Sequence, residues 1–179
     1  MAKNIVQKAE EEILKGRTHQ EIYNEIAYHT EHPIHQIADH IRKIVTPAKR
    51  KKYSLLNYLL LFLLVCTFSI NAGSLIGAGF EIFPITAVPL CVFLVYLCLK
   101  YRPDGHLITG GFMAISFVRN IFYFNPDSKA VFIGFLFITI TAAGIAFFLA
   151  WKLPADYRME KELLKENPDQ RVDALTFMD

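Results

Sequence analysis

Long apolar runs separated by short polar turns occupy the middle of the chain, whereas both ends are polar. Tyr53 to Phe80 contains no Asp, Glu, Lys, Arg or His over 28 residues. A helix needs about 20 apolar residues to cross a hydrocarbon core about 30 Å thick, so this run can cross a bilayer and then turn. Three further apolar runs predict three more spans. The four predicted transmembrane helices cover about 53–71, 82–99, 107–124 and 130–151.

The first 46 residues have a different pattern, in which apolar residues recur three and four positions apart and predict three short helices. Gly16 suits the left-handed turn that closes the first helix. Thr18 to Glu21 matches a capping box, which begins the second helix. Pro33 fits the first turn of the third helix. Residues 1–46 are therefore predicted to form a cytoplasmic three-helix head, which is small enough to need support from the bundle or from a partner.

The two remaining segments flank the predicted spans. Residues 47–52 form a basic linker, and residues 153–179 form a polar cytoplasmic tail. The charged, helix-prone stretch 155–166 has a thin apolar side, which predicts a short juxtamembrane helix. Residues 174–178 form an apolar run that is able to dock on another surface. The fold class predicted is all-α: a polytopic membrane protein with four transmembrane helices, an N-terminal helical head and a short C-terminal juxtamembrane helix.

Lysine and arginine are distributed unequally between the two sides of the predicted spans. The outer side has Lys129 alone, and the inner side has the rest of the juxtamembrane cations: Arg42, Lys43, Lys49, Arg50, Lys51, Lys52, Lys100, Arg102, Lys152 and Arg158. Because cations next to a span resist translocation, both termini are predicted to be cytoplasmic. We expect Lys49, Arg50, Lys51 and Lys52 to contact anionic lipid headgroups. The compact loops favour a bacterial inner membrane.

Composition alone changes this picture little. The net charge is +2, and a hydrophobic content of 53% also occurs in soluble proteins. The cysteines, Cys66, Cys91 and Cys98, lie inside apolar runs and have neither metal-site nor disulfide spacing. About 50 polar residues precede the first apolar run, which is therefore interpreted as a signal anchor rather than a cleavable signal peptide.

Arg119 is the most informative polar residue within the predicted spans, because a charge in the hydrocarbon usually has a partner or a role. It precedes Phe124 by five residues, which places its backbone roughly 8 Å from the outer boundary, within reach of a snorkelling side chain. A second hypothesis pairs Arg119 with Glu81, which lies in the same outer region and would join spans two and three. A third is direct binding of an anion.

Other candidate residues concern how the predicted helices pack. Pro84 and Pro89 predict a kink in span two, because proline leaves a backbone carbonyl without its amide partner. Span three carries a mildly polar face formed by Thr109, Met113, Ser116 and Asn120. Small residues at four-residue intervals in spans three and four predict that these two helices pack closely, either on each other or across a dimer. Faces of this kind usually bind helices to one another.

Five histidines are concentrated in the head. Metal-ligand spacing occurs at His32, His35 and Asp39, with His29 as a candidate fourth ligand. Two features weigh against a metal site: Pro33 lies between the first two of these ligands, and residues 1–46 contain no cysteine. No metal or other cofactor is therefore predicted. The third helix has too few cations to recognise nucleic acid, and the sequence contains neither a phosphate-binding loop nor a zinc-protease motif.

Two functions lead, ahead of a membrane enzyme that would depend on an essential polar residue within a span. The first is a non-enzymatic membrane anchor, scaffold or regulatory subunit, whose residues 1–46 engage a protein partner or a second copy of the chain. The alternative is a small oligomeric transporter or channel subunit, which Pro84, Pro89, Arg119 and the polar face of span three would serve. The sequence does not identify the partner, the solute or the number of copies.

Overall fold

The computed structural model describes residues 2–29, 34–78, 82–122, 129–164 and 167–178, which form eight α-helices and one two-stranded sheet. The predicted helical class is confirmed in outline. The chain divides into two compact units. The head–tail unit combines Met1–Lys49 with Pro154–Asp179, and the bundle comprises Arg50–Leu153.

Three short helices form the N-terminal part of the head–tail unit: α1 (Ala2–Leu14), α2 (His19–His29) and α3 (Ile34–Ile41). Gly16 adopts φ 101°, the left-handed conformation predicted at the end of α1, and its amide donates to the Ile13 carbonyl over 3.0 Å. The capping box is also confirmed. The Glu21 amide donates to Thr18 Oγ1 over 3.3 Å, and the Thr18 amide donates to Glu21 Oε2 over 3.2 Å. Both devices work because they satisfy backbone groups that a helix end leaves unpaired.

The tail does not form the predicted juxtamembrane helix. It forms an antiparallel hairpin of β1 (Asp156–Leu164) and β2 (Asn167–Met178), in which Tyr157 is paired with Phe177 and Met159 with Leu175. The helix prediction is wrong because the helix propensity of Glu, Lys and Leu amounts to a fraction of a kcal/mol per residue, which tertiary pairing overrides. The alternating apolar residues of β1 have the period of a strand, and a second strand supplies their cross-strand neighbours.

The predicted basic linker is itself helical, as α4 (Pro47–Lys52). It is followed by the four long helices of the bundle: α5 (Ser54–Ala78), α6 (Ile82–Leu99), α7 (Pro103–Phe122) and α8 (Lys129–Lys152). Each long helix packs against two others, in the closed order α5–α6–α7–α8 and back to α5. This is the arrangement of an up-down-up-down four-helix bundle, in which short connections make consecutive helices antiparallel.

Two helix boundaries differ from the predicted spans. The first span is predicted to end at about residue 71, but α5 continues to Ala78, because a glycine is tolerated inside a helix at a cost of about 1 kcal/mol. Helix α7 begins at Pro103 rather than near residue 107. Proline is favoured in the first turn of a helix, where its missing amide hydrogen has no partner to lose.

Two glycines allow close contacts between the bundle helices. A Cβ added at Gly105 would lie 2.7 Å from the Leu97 Cβ, so α6 and α7 approach one another at this point more closely than any other residue would permit. A Cβ added at Gly110 would lie 2.9 Å from the ring of Phe147 on α8. Helices α7 and α8 therefore pack on each other as their small residues predicted, with Ala142 and Ala146 fully buried.

One helical stretch among the described residues is long and apolar enough to cross a bilayer by itself, namely Phe132–Lys152 over 21 residues. Two shorter stretches, Ser54–Ile70 and Pro89–Leu99, are similarly apolar. Length and composition are thus consistent with association of the chain with a membrane.

Candidate functional site

The head binds the C-terminal strand through an aromatic site on α2. Phe177 is only 7% exposed, and its ring stacks on His19 with 5.7 Å between centroids and meets Tyr23 edge to face at the same distance. The amide of Phe177 donates to Oε1 of Gln20 over 2.8 Å. His19 is completely buried, and its Nε2 donates to the Ile44 carbonyl over 2.7 Å, which fixes the ring against which Phe177 packs. The docking predicted for residues 174–178 is confirmed for Phe177.

A second connection joins the start of the tail to the segment after α3. The Ala155 amide donates to the Arg42 carbonyl over 2.8 Å, and Lys49 Nζ donates to the Pro154 carbonyl over 2.9 Å. The head and the tail also share a single hydrophobic core, which contains Ala9, Ile13, Ile22, Tyr23, Ile37, Ala38, Ile41, Ile44, Ala155 and Phe177. Residues from the two ends of the chain are therefore needed to complete one folded unit.

Charged side chains connect α1 to α2 on the surface of the head. Arg17 lies 2.8 Å from a carboxylate oxygen of Glu25 and 3.6 Å from one of Glu12, while Lys15 lies 2.7 Å from Glu12. The hydrogen bond from Lys15 lowers the pKa of Glu12, and the hydrogen bond from Arg17 lowers the pKa of Glu25. Exposed ion pairs contribute little stability individually, so this network mainly sets the charge of the surface.

Burial raises the pKa of Tyr23 in the aromatic site, which keeps its hydroxyl neutral.

A buried polar network lies inside the bundle. His106 at the start of α7 is 0% exposed, and Asn57 at the start of α5 is 1% exposed. Nε2 of His106 lies 2.8 Å from Oδ1 of Asn57, and its Nδ1 lies 2.9 Å from the Arg102 carbonyl oxygen. Nδ2 of Asn57 donates to the Cys98 carbonyl at the end of α6 over 3.2 Å. The network therefore links three helices at the end of the bundle where α5 and α7 begin and α6 ends.

Cation–aromatic pairs surround the same end of the bundle. The Lys152 ammonium lies 3.9 Å from the centre of a Trp151 ring, and the Arg50 guanidinium lies 5.6 Å from the centre of the Tyr101 ring. Two further pairs are Lys52 with Tyr53 and Lys100 with Tyr96. Such pairs combine a charged group with an amphipathic ring, which is the chemistry of a boundary between hydrocarbon and water. We refer to these eight residues as the basic aromatic rim.

The candidate residues near the other end of the bundle are only partly described. Arg119 is half-buried in the last turn of α7, whereas Glu81 lies outside the described residues, so their proposed ion pair stays a prediction. Ser116 is buried in α7 with 4% exposure. Pro89 is an exposed residue within α6. For Asn120 in α7 and Pro84 in the first turn of α6, the helical backbone is described but the side chain is not.

The predicted headgroup ligands do not all have the same surroundings. Lys49 is half-buried and bonded to the Pro154 carbonyl, Arg50 packs on Tyr101, and Lys51 and Lys52 are exposed. Their contact with lipid stays a prediction.

The metal-ligand hypothesis falls mainly on residues outside the described ranges. His32 and the side chains of His29 and His35 are not described, and the described part of the chain contains no cluster of three potential metal ligands.

Sequence reasoning missed the His106–Asn57 network and the His19–Tyr23–Phe177 site. One signal was present: His106 is the single histidine outside the head, next to an apolar run. Nothing in the sequence indicated that Asn57, 49 positions earlier, would be its partner. The pairing depends on the packing of α5 against the start of α7, which no local pattern encodes.

Comparison of the chain with protein-family models, with curated proteins and with solved structures found no match.

Proposed function

We propose that this chain is a four-span integral membrane protein whose head–tail unit is a cytoplasmic module that engages a protein partner. The observation that carries the membrane part of the proposal is the outer surface of the bundle. All four long helices expose large apolar side chains, including Leu55, Phe62, Val65, Val92, Phe93, Ile115, Val118, Phe122, Ile133, Phe137, Ile140 and Trp151. In water, a continuous apolar surface of this kind would drive aggregation, whereas lipid tails would cover it.

The interior of the bundle supports the same proposal. Buried polar residues occur inside it, among them Asn57, Thr67, His106, Thr109, Ser116 and Thr139. In addition, only 28% of the most apolar stretch of Phe132–Lys152 is buried within the protein, whereas the core helix of a soluble protein would be mostly buried. An interior that mixes buried leucines with polar side chains, beneath an apolar outer surface, is compatible with a lipid environment.

The head–tail contacts support placing both termini on one side of the membrane. Residues before the first span and after the last span form one folded unit, joined by the Ala155–Arg42 and Phe177–Gln20 hydrogen bonds. A chain with both ends in one folded unit crosses a bilayer an even number of times. The cations of the basic aromatic rim favour the cytoplasmic side for that end of the bundle.

The role in partner binding is supported by the construction of the head–tail unit. Its head and tail share one hydrophobic core, and its described surface carries exposed polar residues on α1, α2 and α3, such as Glu11, Asn24 and His40. A folded unit with exposed polar residues on several helices suits an adaptor or regulatory subunit. The alternative, a transporter or channel, has less support because the hydroxyls of Thr67 and Thr139 donate to carbonyls of their own helices and buried leucines fill the described interior.

Photocrosslinking in intact cells tests the proposal. A photoreactive residue at Glu11, Asn24 or His40 should give a protein adduct of defined mass from at least one position. The same residue at Phe137 or Ile140, which are exposed on α8, should give lipid adducts. Failure to obtain a protein adduct from any head position would contradict the adaptor function. Release of the unmodified chain from membranes by alkaline carbonate, or protection of one terminal tag from a cytoplasmic protease, would contradict the topology.

A further inference from the structure

With the Asn57 amide oriented as it is in this structure, the two hydrogen bonds of His106 favour a particular protonation state. Nδ1 faces the Arg102 carbonyl oxygen at 2.9 Å, and Nε2 faces the Asn57 amide oxygen at 2.8 Å. Both of these partners are acceptors, so each ring nitrogen must carry a hydrogen to make its bond. Only the imidazolium cation has two N–H donors. A neutral ring of either tautomer would leave one lone pair facing an oxygen.

The orientation of Asn57 is set by its second partner. Its Nδ2 donates to the Cys98 carbonyl oxygen over 3.2 Å, and that carbonyl also accepts the Tyr101 amide over 3.0 Å at the end of α6. Turning the amide by 180° would offer a donor to Nε2 of a neutral His106. The same rotation would place the amide oxygen against the Cys98 carbonyl oxygen, where two acceptors repel.

We propose that His106 is a buried proton-binding site whose bound proton holds the adjoining ends of α5, α6 and α7 together. With the proton bound, all three hydrogen bonds of the network are made. Loss of the proton from Nε2 sacrifices either the His106–Asn57 bond or, after rotation of the amide, the Asn57–Cys98 bond. Loss from Nδ1 sacrifices the bond to Arg102. This inference concerns the bundle alone and stands whatever partner the head binds.

Opposing effects act on this proton. Burial disfavours a charged imidazole, whereas hydrogen bonds to two acceptors favour it. The end of α6 contributes in the same favourable direction, because the carbonyl end of a helix carries partial negative charge. The start of α7, where His106 itself lies, contributes in the opposite direction.

Several titratable or charged groups occur on the elements around His106. Its own element contributes Arg102 and Asp104, α6 contributes Cys98 and the following Lys100, and the adjoining ends of α5 and α8 contribute Tyr53 and Lys152. Arg102, Asp104 and Lys100 are solvent-exposed, and Cys98 is a neutral thiol in contact with Thr109 at 3.5 Å. No described carboxylate bonds to the imidazole, so the network itself must stabilise the cation.

Nitrogen NMR of the full chain in lipid nanodiscs, with ¹⁵N-labelled histidine, tests the proposal directly. At about pH 8 an exposed histidine with an ordinary pKa near 6.5 is neutral, so a ring with hydrogens on both nitrogens is distinguishable without any variant. We expect one such ring, and its signals should vanish in His106→Gln. A spectrum in which every ring carries a single hydrogen at this pH would overturn the proposal.

Thermal unfolding provides a second measurement. The quantity to follow is the Tm of the wild type minus the Tm of His106→Gln. This difference should fall by roughly 3–10 °C as rising pH removes the proton from His106. A fall of this size corresponds to the loss of one hydrogen bond to a charged group in a chain of this length. Asn57→Asp should shift the midpoint of this fall to higher pH, because a carboxylate stabilises the imidazolium. His40→Gln, at an exposed position in the head, is the matched control and should leave the midpoint unchanged. A Tm difference that rises with pH, or a midpoint that Asn57→Asp lowers, would contradict the proposal.

Discussion

Substitution of Phe177 by alanine tests whether the tail is an integral part of the head. The Phe177 side chain is buried against His19 and Tyr23. Removing a buried phenylalanine side chain costs about 3–5 kcal/mol, including the loss of its aromatic contacts. Met178, the next residue, is 55% exposed, so Met178→Ala should cost no more than about 0.5 kcal/mol. The two adjacent substitutions form a matched pair.

Hydrogen exchange of the full chain in nanodiscs gives the appropriate measurement. The amide at position 177 donates to Gln20 in the folded unit, so it exchanges only when the tail leaves the head. A destabilisation of about 3–5 kcal/mol should accelerate this exchange by roughly a hundredfold to several thousandfold, whereas Met178→Ala should change it less than about threefold. Equal exchange rates in the two variants would refute the role of Phe177 as the anchor of the tail.

Further predictions concern the bundle and the surface of the head. Gly105→Ala should be less stable than Gly111→Ala by about 1–3 kcal/mol, because a Cβ at Gly105 meets Leu97 at 2.7 Å while none meets a neighbour at Gly111. Steric trapping in bicelles measures this difference. Acid should weaken the head, because the ionised Glu25 carboxylate stabilises the folded state. This stabilisation is fully present at pH values above the ordinary pKa of glutamate, and it is lost as the pH falls through the lowered pKa of Glu25. Arg17→Gln should reduce this loss, as measured by head-specific hydrogen exchange between about pH 5 and pH 3.

Each of these predictions has a clear negative outcome. If Gly105→Ala matches Gly111→Ala, α6 and α7 do not approach closely at Leu97. If Arg17→Gln retains the full acid sensitivity of the wild type, the pKa of Glu25 is not controlled by its ion pair with Arg17.

Local chemistry in the head was predictable because it depends on residues close together in the chain. The glycine at the end of α1 and the capping box at the start of α2 act within four residues, and both are present as predicted. The long apolar runs likewise predicted four helices at nearly their observed positions. Their limits were not fixed by the sequence pattern, because one glycine inside a helix costs only about 1 kcal/mol and proline is favoured in the first turn.

The candidate site residues were predictable to a smaller extent. Ser116 is buried and Arg119 lies half-buried at the end of α7, but the position of an ionic partner for Arg119 depends on Glu81, which is outside the described residues. Burial of a residue follows from helical periodicity, whereas the identity of its partner follows from how separate helices are packed.

Periodicity and charge thus determined by themselves that the chain has a helical head, four long apolar helices and a group of cations at one end of those helices. The tertiary structure alone decided that the tail is a hairpin inserted into the head and that His106 is bonded to Asn57. Both features join segments far apart in sequence, with a separation of 157 positions for Gln20 and Phe177 and 49 for Asn57 and His106. Their stability comes from contacts that exist only after the chain has folded, and short-range propensities of a fraction of a kcal/mol carry no information about them.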